Sequence, residues 1–340
     1  REAFSGVKGL AYRLGDQLIL NERRPWQENL DEIPWASLIY RDFLKIDHYS
    51  YGAQLHPEVT IVSGRGCPYQ CTFCVFPQTI TGQRYRPRSV RDVVDEMEFI
   101  QKTWPHNKEI MFEDDTLTVD KERMRELSEE ILRRGLKVTW SGNARADFDD
   151  VMLLKLMKKA GCRLFCVGFE SADQKILDEM CKGGATIQIR ERFVNACAEA
   201  GIMIHGCFLF GGANETRQSM RDTLEMAKRM KLDTAQFFPI MVYPGTRAYE
   251  EAKAKGDLDS ENYDEWLRGS GYYASQVHRG ELTGEAIAKF TDLAYHEFYL
   301  RPSFLLQKMM QFLFSPLERS RILFGFWFFL KKIMTREKDQ

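Results

Sequence analysis

From residue 57 onward one pattern recurs: a short run rich in β-branched and aromatic residues, then a stretch whose apolar residues return at helical spacing. Nothing else in the chain narrows its fold as much. The strand-like runs are 58–64 (EVTIVSG), 109–114 (EIMFED), 137–143 (KVTWSGN), 163–170 (RLFCVGFE), 202–210 (IMIHGCFLF) and 234–243 (TAQFFPIMVY). Amphipathic segments at 89–104, 120–135 and 215–230 lie between them. Ser89 and Asp120 are suited to cap the first two of these helices, and Gly135 to stop the second. Six βα units in series predict an α/β fold with a parallel sheet, because a parallel neighbour is reached only through a long crossover. Periodicity alone fits both a doubly wound sheet and an open barrel. Polar residues gather in the loops after the strands, as the C-terminal face of a barrel requires.

Three segments follow: an irregular lead-in over 1–55, a core over 56–255, and an extension over 256–340 whose first part, 256–280, breaks the repeat with Gly, Asp and Tyr before a helix at about 284–300. The formal charge of −1 lacks the basic excess of a nucleic-acid coat, so no nucleic-acid partner is expected. Eight cysteines in 340 residues are too sparse for a disulfide scaffold, and no apolar leader opens the chain, which begins at Arg1. A reducing, cytoplasmic setting is expected.

Three of those cysteines fall within "GRGCPYQCTFC" (64–74), directly after the first strand, as Cys67-x3-Cys71-x2-Cys74. Thiols this close suit a loop wrapped around one soft metal centre. Structural zinc takes four protein donors, and no fourth Cys or His lies near; His56 is at the strand's opposite end. Three thiols alone suit a 4Fe–4S cluster with one iron left open. A zinc-stabilised binding module is the rival of another class. The other cysteines read as ordinary thiols: Cys162 and Cys166 on one strand facing the same side, Cys181 and Cys197 on helices, Cys207 on a strand.

The loop, with Phe73 before its last cysteine and six βα units around it, resembles the signature of the radical S-adenosylmethionine (radical SAM) superfamily. The resemblance implies a partial (β/α)6 TIM-like barrel with a helical C-terminal extension. It implies a cluster on Cys67, Cys71 and Cys74, S-adenosylmethionine as the second cofactor, and a ferredoxin- or flavodoxin-type electron donor. In that family the reduced cluster cleaves the sulfonium bond and a 5′-deoxyadenosyl radical abstracts hydrogen from carbon. It further implies cofactor contacts from Phe73; from Glu113, Asp114 and Asp115 after the second strand; from Ser141, Asn143 and Arg145 after the third; from Glu170 after the fourth; from Gly206, Phe208 and Gly211 in the fifth; and from Tyr243 after the sixth. Tyr69, Gln78 and Arg84 are near neighbours by position. No catalytic base is named.

"GLAYR", "NLDEIP", "FEDDT" and "YPGT" resemble, in order, the branch in which a cobalamin-binding domain precedes the barrel. The cobalamin-ligand pattern Asp-x-His-x-x-Gly does not occur here, so cobalamin is expected only with a preceding domain. Within the branch, "LKIDHY", "FPQTITGQRYRPRSV", "TWSGNAR" and "GFES" resemble a hopanoid-biosynthesis family. That implies a hopanoid-like or glycolipid substrate, with a cobalamin-dependent methyltransferase or a porphyrin-type cyclase as the alternatives.

Residues 301–340 carry eight Lys or Arg against three acids, a net of +5, and the remainder is −6. Ile322 to Leu330 is a run of nine residues without charge, flanked by Arg319, Arg321, Lys331 and Lys332. A bilayer span needs about twenty apolar residues. The segment 304–334 therefore suits either peripheral contact with the inner face of a membrane or packing on the barrel.

Overall fold

A computed structural model describes residues 2–184, 186–266 and 276–336. Part of the segment that interrupts the repeat, 267–275, and the last four residues lie outside the described residues. The six expected strands form one parallel sheet: β1 (Glu58–Ile61), β2 (Glu109–Phe112), β3 (Trp140–Ala144), β4 (Cys162–Glu170), β5 (Met203–Phe210) and β6 (Thr234–Pro239). They are hydrogen-bonded in strict chain order from β1 to β6. A doubly wound sheet reverses its order at a switch point, and this one never does. Right-handed crossovers in one direction place the crossover helices on the same face, so the sheet curls into a barrel arc. This decides between the two folds that the periodicity allowed.

The major helices are α1 (Val90–Thr103), α2 (Lys121–Arg133), α3 (Val151–Lys159), α4 (Ile187–Ala200), α5 (Arg217–Arg229), α6 (Arg247–Lys255), α7 (Gly284–Tyr299), α8 (Pro302–Phe314) and α9 (Arg319–Arg336). Ser89 caps the Asp92 amide at the start of α1, and Asp120 caps that of Arg123 at the start of α2. Gly135, at φ +64°, follows α2 in the left-handed region expected of a helix stop. Val93, Val94, Met97 and Ile100 line one face of α1 and are fully buried against Val59, Ile61, Ile110 and Phe112 on the outer face of the sheet. The core therefore lies between sheet and helices.

The arc stays open because its last edge is already satisfied. In β6 the Ala235 amide donates to the Tyr299 hydroxyl (3.1 Å), which in turn donates to the Ala235 carbonyl (2.6 Å). The Phe237 amide donates to the Tyr295 hydroxyl at 3.3 Å. Two tyrosines of α7 thus replace a neighbouring strand and blunt the edge.

The inner face is polar. Part of the lead-in enters it: the Leu55 amide donates to Glu109 Oε2 (2.6 Å), Gln54 Nε2 stands 3.8 Å from Cys166 Sγ, and the Tyr51 hydroxyl reaches Gln236 Oε1 (3.3 Å). The lead-in also forms an antiparallel hairpin, 11–14 with 17–20, and a helix, Ala36–Phe43.

Pairing corrects one cysteine expectation. The β3–β4 register slips between Trp140 and Ser141, where Trp140 faces Cys162 and Ser141 faces Leu164. The extra residue turns Cys162 outward into the core, beside Cys197, while Cys166 faces inward. Cys181 also departs from expectation. It lies in the turn after the helix Gln174–Glu179, at φ +49°.

Candidate functional site: a thiol loop at the barrel mouth

The loop begins where β1 ends, and backbone geometry sets its path. Gly64 and Arg65 pair antiparallel with Pro87 and Arg86. Gly66 turns the chain at φ +89°, and a Cβ there would sit 2.1 Å from the Arg84 carbonyl. The Cys67 amide then donates to the Gly82 carbonyl (3.1 Å). Residues 66–67 thus run against 82–84, which positions the first thiol.

Further clamps hold the remaining cysteines. The Thr72 amide donates to the Met180 carbonyl (2.9 Å), and the Ala248 amide donates to the Thr72 carbonyl (3.0 Å). Gln78 Nε2 lies within donating distance of the carbonyls of Cys71 (3.1 Å), Thr72 (3.1 Å) and Cys74 (2.8 Å), while its Oε1 accepts from the Arg247 amide at the start of α6 (2.9 Å). One side chain therefore gathers the loop and fastens it to the turn after β6. On the other flank the Arg145 guanidinium lies 3.5 Å from the centre of the Tyr69 ring. Asp147 accepts from both, at 2.8 Å from Arg145 Nε and 3.0 Å from the tyrosine hydroxyl.

All three thiols are free, with Cys71 buried and Cys67 and Cys74 half-buried. Burial pushes the Cys67 thiol up and the Cys74 thiol up to about 12, and the neighbouring sulfurs add to both shifts. Among the described residues, no three His, Cys, Asp or Glu side chains stand close enough together to grip a single ion. The fit to a cluster rests on donor chemistry: three free thiols on one clamped loop, where a thiolate is costly unless a strongly positive centre compensates it.

The acids after β2 divide into two roles. Asp114 is fully buried and accepts from both the amide and the hydroxyl of Ser63 (2.7 Å each). Burial raises its carboxyl to about 6 despite those bonds. Its carboxylate ties β1 to β2, so its side chain is committed within the protein. Asp115 accepts from the Gly66 amide (2.8 Å). Glu113 is exposed at the mouth, its carboxyl raised by partial burial and by Asp115.

Asn143 donates to the Asp114 carbonyl (3.0 Å) and is half-buried at the mouth, whereas Ser141 is buried one layer down beside Met111. Arg145 is committed to Tyr69, Asp147 and the Gly183 carbonyl. Glu170, at φ +62°, pairs with Lys182 at 2.5 Å. That ammonium lies 5.9 Å from the Phe73 ring centre, so both expected residues meet beside the thiol loop. Gly211, at φ +94°, donates to Glu215 and accepts from Arg279 Nε (3.0 Å). Tyr243 lies in the turn after β6, with its ring 6.4 Å from Trp266.

Gly206 and Phe208 do not join this group. Phe208 stacks between Phe169 (5.7 Å) and Phe237 (5.4 Å) in the outer core, and a Cβ on Gly206 would meet Leu232 at 2.9 Å. Strand alternation puts both on the helix side and turns His205 and Cys207 inward instead.

Sequence reasoning missed Lys182 and the Ser63–Asp114 latch. A lysine in a loop between Cys181 and Gly183 carries no distinguishing signal until the chain is folded. Ser63 sits among strand residues and looks like ordinary strand.

A partial barrel whose strand ends surround a clamped three-thiol loop defines a class: a barrel enzyme that houses an iron–sulfur cofactor at its mouth. Comparison with known proteins specifies the class. Residues 61–227 match the Radical SAM superfamily. An uncharacterised methyltransferase of Pyrococcus horikoshii is 33% identical over 306 residues, covering 90% of this chain and 64% of the relative. The anaerobic magnesium-protoporphyrin IX monomethyl ester cyclase of Rubrivivax gelatinosus is 28% identical, covering 88% of this chain and 52% of the relative. Among solved structures, the cobalamin-dependent S-adenosylmethionine radical enzyme OxsB, with aqua-cobalamin and S-adenosylmethionine bound, superposes with a TM-score of 0.66 at 17% identity, covering 94% of this chain and 52% of that one. The radical S-adenosylmethionine methyltransferase TsrM of Kitasatospora setae, with cobalamin and a [4Fe-4S] cluster bound, gives 0.61 at 22%, covering 72% and 53%.

The chain belongs to the radical SAM superfamily, and its cofactors are accordingly a 4Fe–4S cluster and S-adenosylmethionine. It spans half to two thirds of the length of these relatives. Neither relative is named for a hopanoid or another lipid, so the placement stops at the superfamily with its cobalamin-using neighbours.

Proposed function

We propose that this chain is the radical SAM core of a cobalamin-dependent methyltransferase. The observation that carries this is the extent of the match to a methyltransferase: 33% identity over 90% of the chain, well beyond the superfamily core at 61–227 and into the lead-in and extension. The OxsB fold also follows 94% of the chain. Neighbours of this kind favour the methyltransferase reading over a lipid-linked substrate.

The chain's own residues have defined tasks. Cys67, Cys71 and Cys74 would hold the cluster, which when bound supplies an electron to S-adenosylmethionine. Gln78 and the Arg145–Tyr69 stack keep the three sulfurs at fixed relative positions. Glu113, Asn143 and the Glu170–Lys182 pair present hydrogen-bonding groups where the cofactor's polar methionine and ribose portions would lie. Cobalamin would be held by a part of the protein outside these 340 residues. A porphyrin-type cyclase is the second reading, favoured by the 28% match to the magnesium-protoporphyrin enzyme.

The test uses protein purified without oxygen from its own cells, at whatever length it is made there. Corrinoid is read by absorbance, iron and sulfide are counted, and dithionite with S-adenosylmethionine starts the reaction. Bound corrinoid with S-adenosylhomocysteine as a product is expected. Iron-loaded protein that lacks corrinoid and forms 5′-deoxyadenosine alone would refute the methyltransferase reading. Loaded protein that consumes no S-adenosylmethionine would refute the chemistry altogether.

A further inference from the structure

The two helices that end the chain present one face to the barrel and a very different face to solvent. Their inner side closes the N-terminal end of the strands through a buried chain of alternating charge. Arg163 meets Glu109 (2.9 Å) and Glu318 (3.1 Å), Arg321 meets Glu318 (2.6 Å) and Asp233 (2.8 Å), and Lys308 meets Asp233 (2.7 Å). Glu109, Arg163 and Asp233 sit within one residue of the starts of β2, β4 and β6, and Gln311 of α8 reaches Met203 at the start of β5. With three acids and three bases the chain is neutral, and it fixes which side of α8 and α9 faces the protein. Phe304 adds an apolar anchor against Phe298 and Tyr299.

Because that side is fixed, the apolar residues on the other side cannot turn inward. Leu306, Leu313 and Phe314 of α8 and Phe324, Phe326 and Trp327 of α9 are all more than half exposed, Phe314 by 75% and Trp327 by 71%. A monomer in water rarely exposes a contiguous apolar patch above roughly 300–600 Å², and this one is built from large side chains on consecutive helices. Helix α9 continues through Lys331, Lys332 and Arg336, and residues 319–340, leaving out the buried Arg321, carry five Lys or Arg against two acids, a net of +3.

We propose that this face is a docking surface for an anionic bilayer, with α8 and α9 lying in the interface. Charge selects the occupant. A second copy would bring another excess of positive charge against the first, whereas acidic headgroups complement a stretch whose sequence sets exposed aromatic residues between Arg319 and the Lys331–Lys332 pair. No described helix is long and apolar enough to cross a membrane, so the contact is peripheral. The docking face lies at the strand starts and the thiol loop at the strand ends, roughly 20–30 Å apart along a barrel strand. The mouth thus points away from the bilayer, a consequence that holds whichever reaction the mouth performs.

The test is flotation of the full chain with vesicles of phosphatidylcholine alone or with one third phosphatidylglycerol. Binding to the anionic vesicles only is expected, and it should fall at least tenfold in the Phe314→Ser/Trp327→Ser variant, whose replaced side chains pack on little. Lys331→Glu/Lys332→Glu should lose binding at low salt. Independently of these variants, acyl-chain-brominated lipid should quench part of the wild-type tryptophan emission, and that part should vanish in Trp327→Phe. Failure to float with anionic vesicles overturns the proposal. So does a lipid-independent dimer that the Phe314→Ser/Trp327→Ser pair dissolves, since the face would then belong to a second copy.

Discussion

Replacing Asp233 with Asn removes one charge from the chain that locks the terminal helices to the barrel, with almost no change in shape. Asp233 is fully buried; its Oδ1 accepts from Lys308 (2.7 Å) and Gln311 (2.9 Å), while Arg321 lies 2.8 Å from Oδ2 without the alignment of a hydrogen bond. Breaking a buried pair by deleting one partner costs about 3–5 kcal/mol. The lower end applies here. Arg321 keeps Glu318 at 2.6 Å, and Lys308, with 12% of its side chain exposed, has a route toward water. A loss of about 3 kcal/mol is a large part of the 5–15 kcal/mol typical of a folded domain, and in a chain of this size it shifts a urea midpoint by roughly 1 M or somewhat less. The pH dependence has a definite sign. Burial alone would raise this carboxyl, but Lys308 and Arg321 outweigh burial and hold it well below the usual carboxylate range. A depressed folded value contributes stability that is complete above the unfolded value, near 3.9, and is lost as pH falls through the folded one. The gap between wild type and Asp233→Asn should therefore be full at pH 7 and pH 5 and shrink below about pH 4. Adding Lys308→Met should recover on the order of 1 kcal/mol, because it removes the stranded ammonium. Urea unfolding followed by circular dichroism measures all of this. A loss under about 1 kcal/mol at pH 7, or an equal loss at pH 3 and pH 7, would show that the network does not hold the tail.

Three other expectations concern the barrel interior and the thiol loop. Burial, aided by Glu109, raises Glu58 to about 8, and its Oε2 has no partner. A raised carboxyl penalises the fold above the unfolded value, near 4.3, and most fully above pH 8. Glu58→Gln should therefore stabilise by about 1–2 kcal/mol at pH 7–8 and by nothing below pH 4, and thermal melts at the two pH values compare them. Gln78→Leu removes the clip on the carbonyls of residues 71, 72 and 74, worth about 1–3 kcal/mol of loop order; less than half the wild-type iron should survive reconstitution, and equal iron with an unchanged electron paramagnetic resonance spectrum would deny Gln78 that role. Gly66→Ala drives a Cβ into the Arg84 carbonyl at φ +89° and should cost iron content while leaving the far-ultraviolet circular dichroism of the barrel intact.

The sequence alone determined the elements and the thiol tripod. Alternating apolar runs and helical stretches are local signals, and so are the caps Ser89 and Asp120 and the stop at Gly135. The spacing of Cys67, Cys71 and Cys74 is also local, so the superfamily was legible before any folding. What needed the tertiary structure were the facts that depend on parity, register and distant partners. Strand order separated barrel from doubly wound sheet. A one-residue slip between β3 and β4 sent Cys162 and Cys166 to opposite faces, and strand alternation removed Gly206 and Phe208 from the mouth. Asp114 looked like a free acid in "FEDDT" until Ser63, 51 positions earlier, was found to hold it. The tail's two readings were likewise inseparable in one dimension. The charges that fix α8 and α9 come from residues 109, 163 and 233, and only once these occupy the buried side is the apolar side left facing solvent. Local chemistry is written in neighbouring residues, whereas the direction a side chain faces is decided by what the fold brings against it.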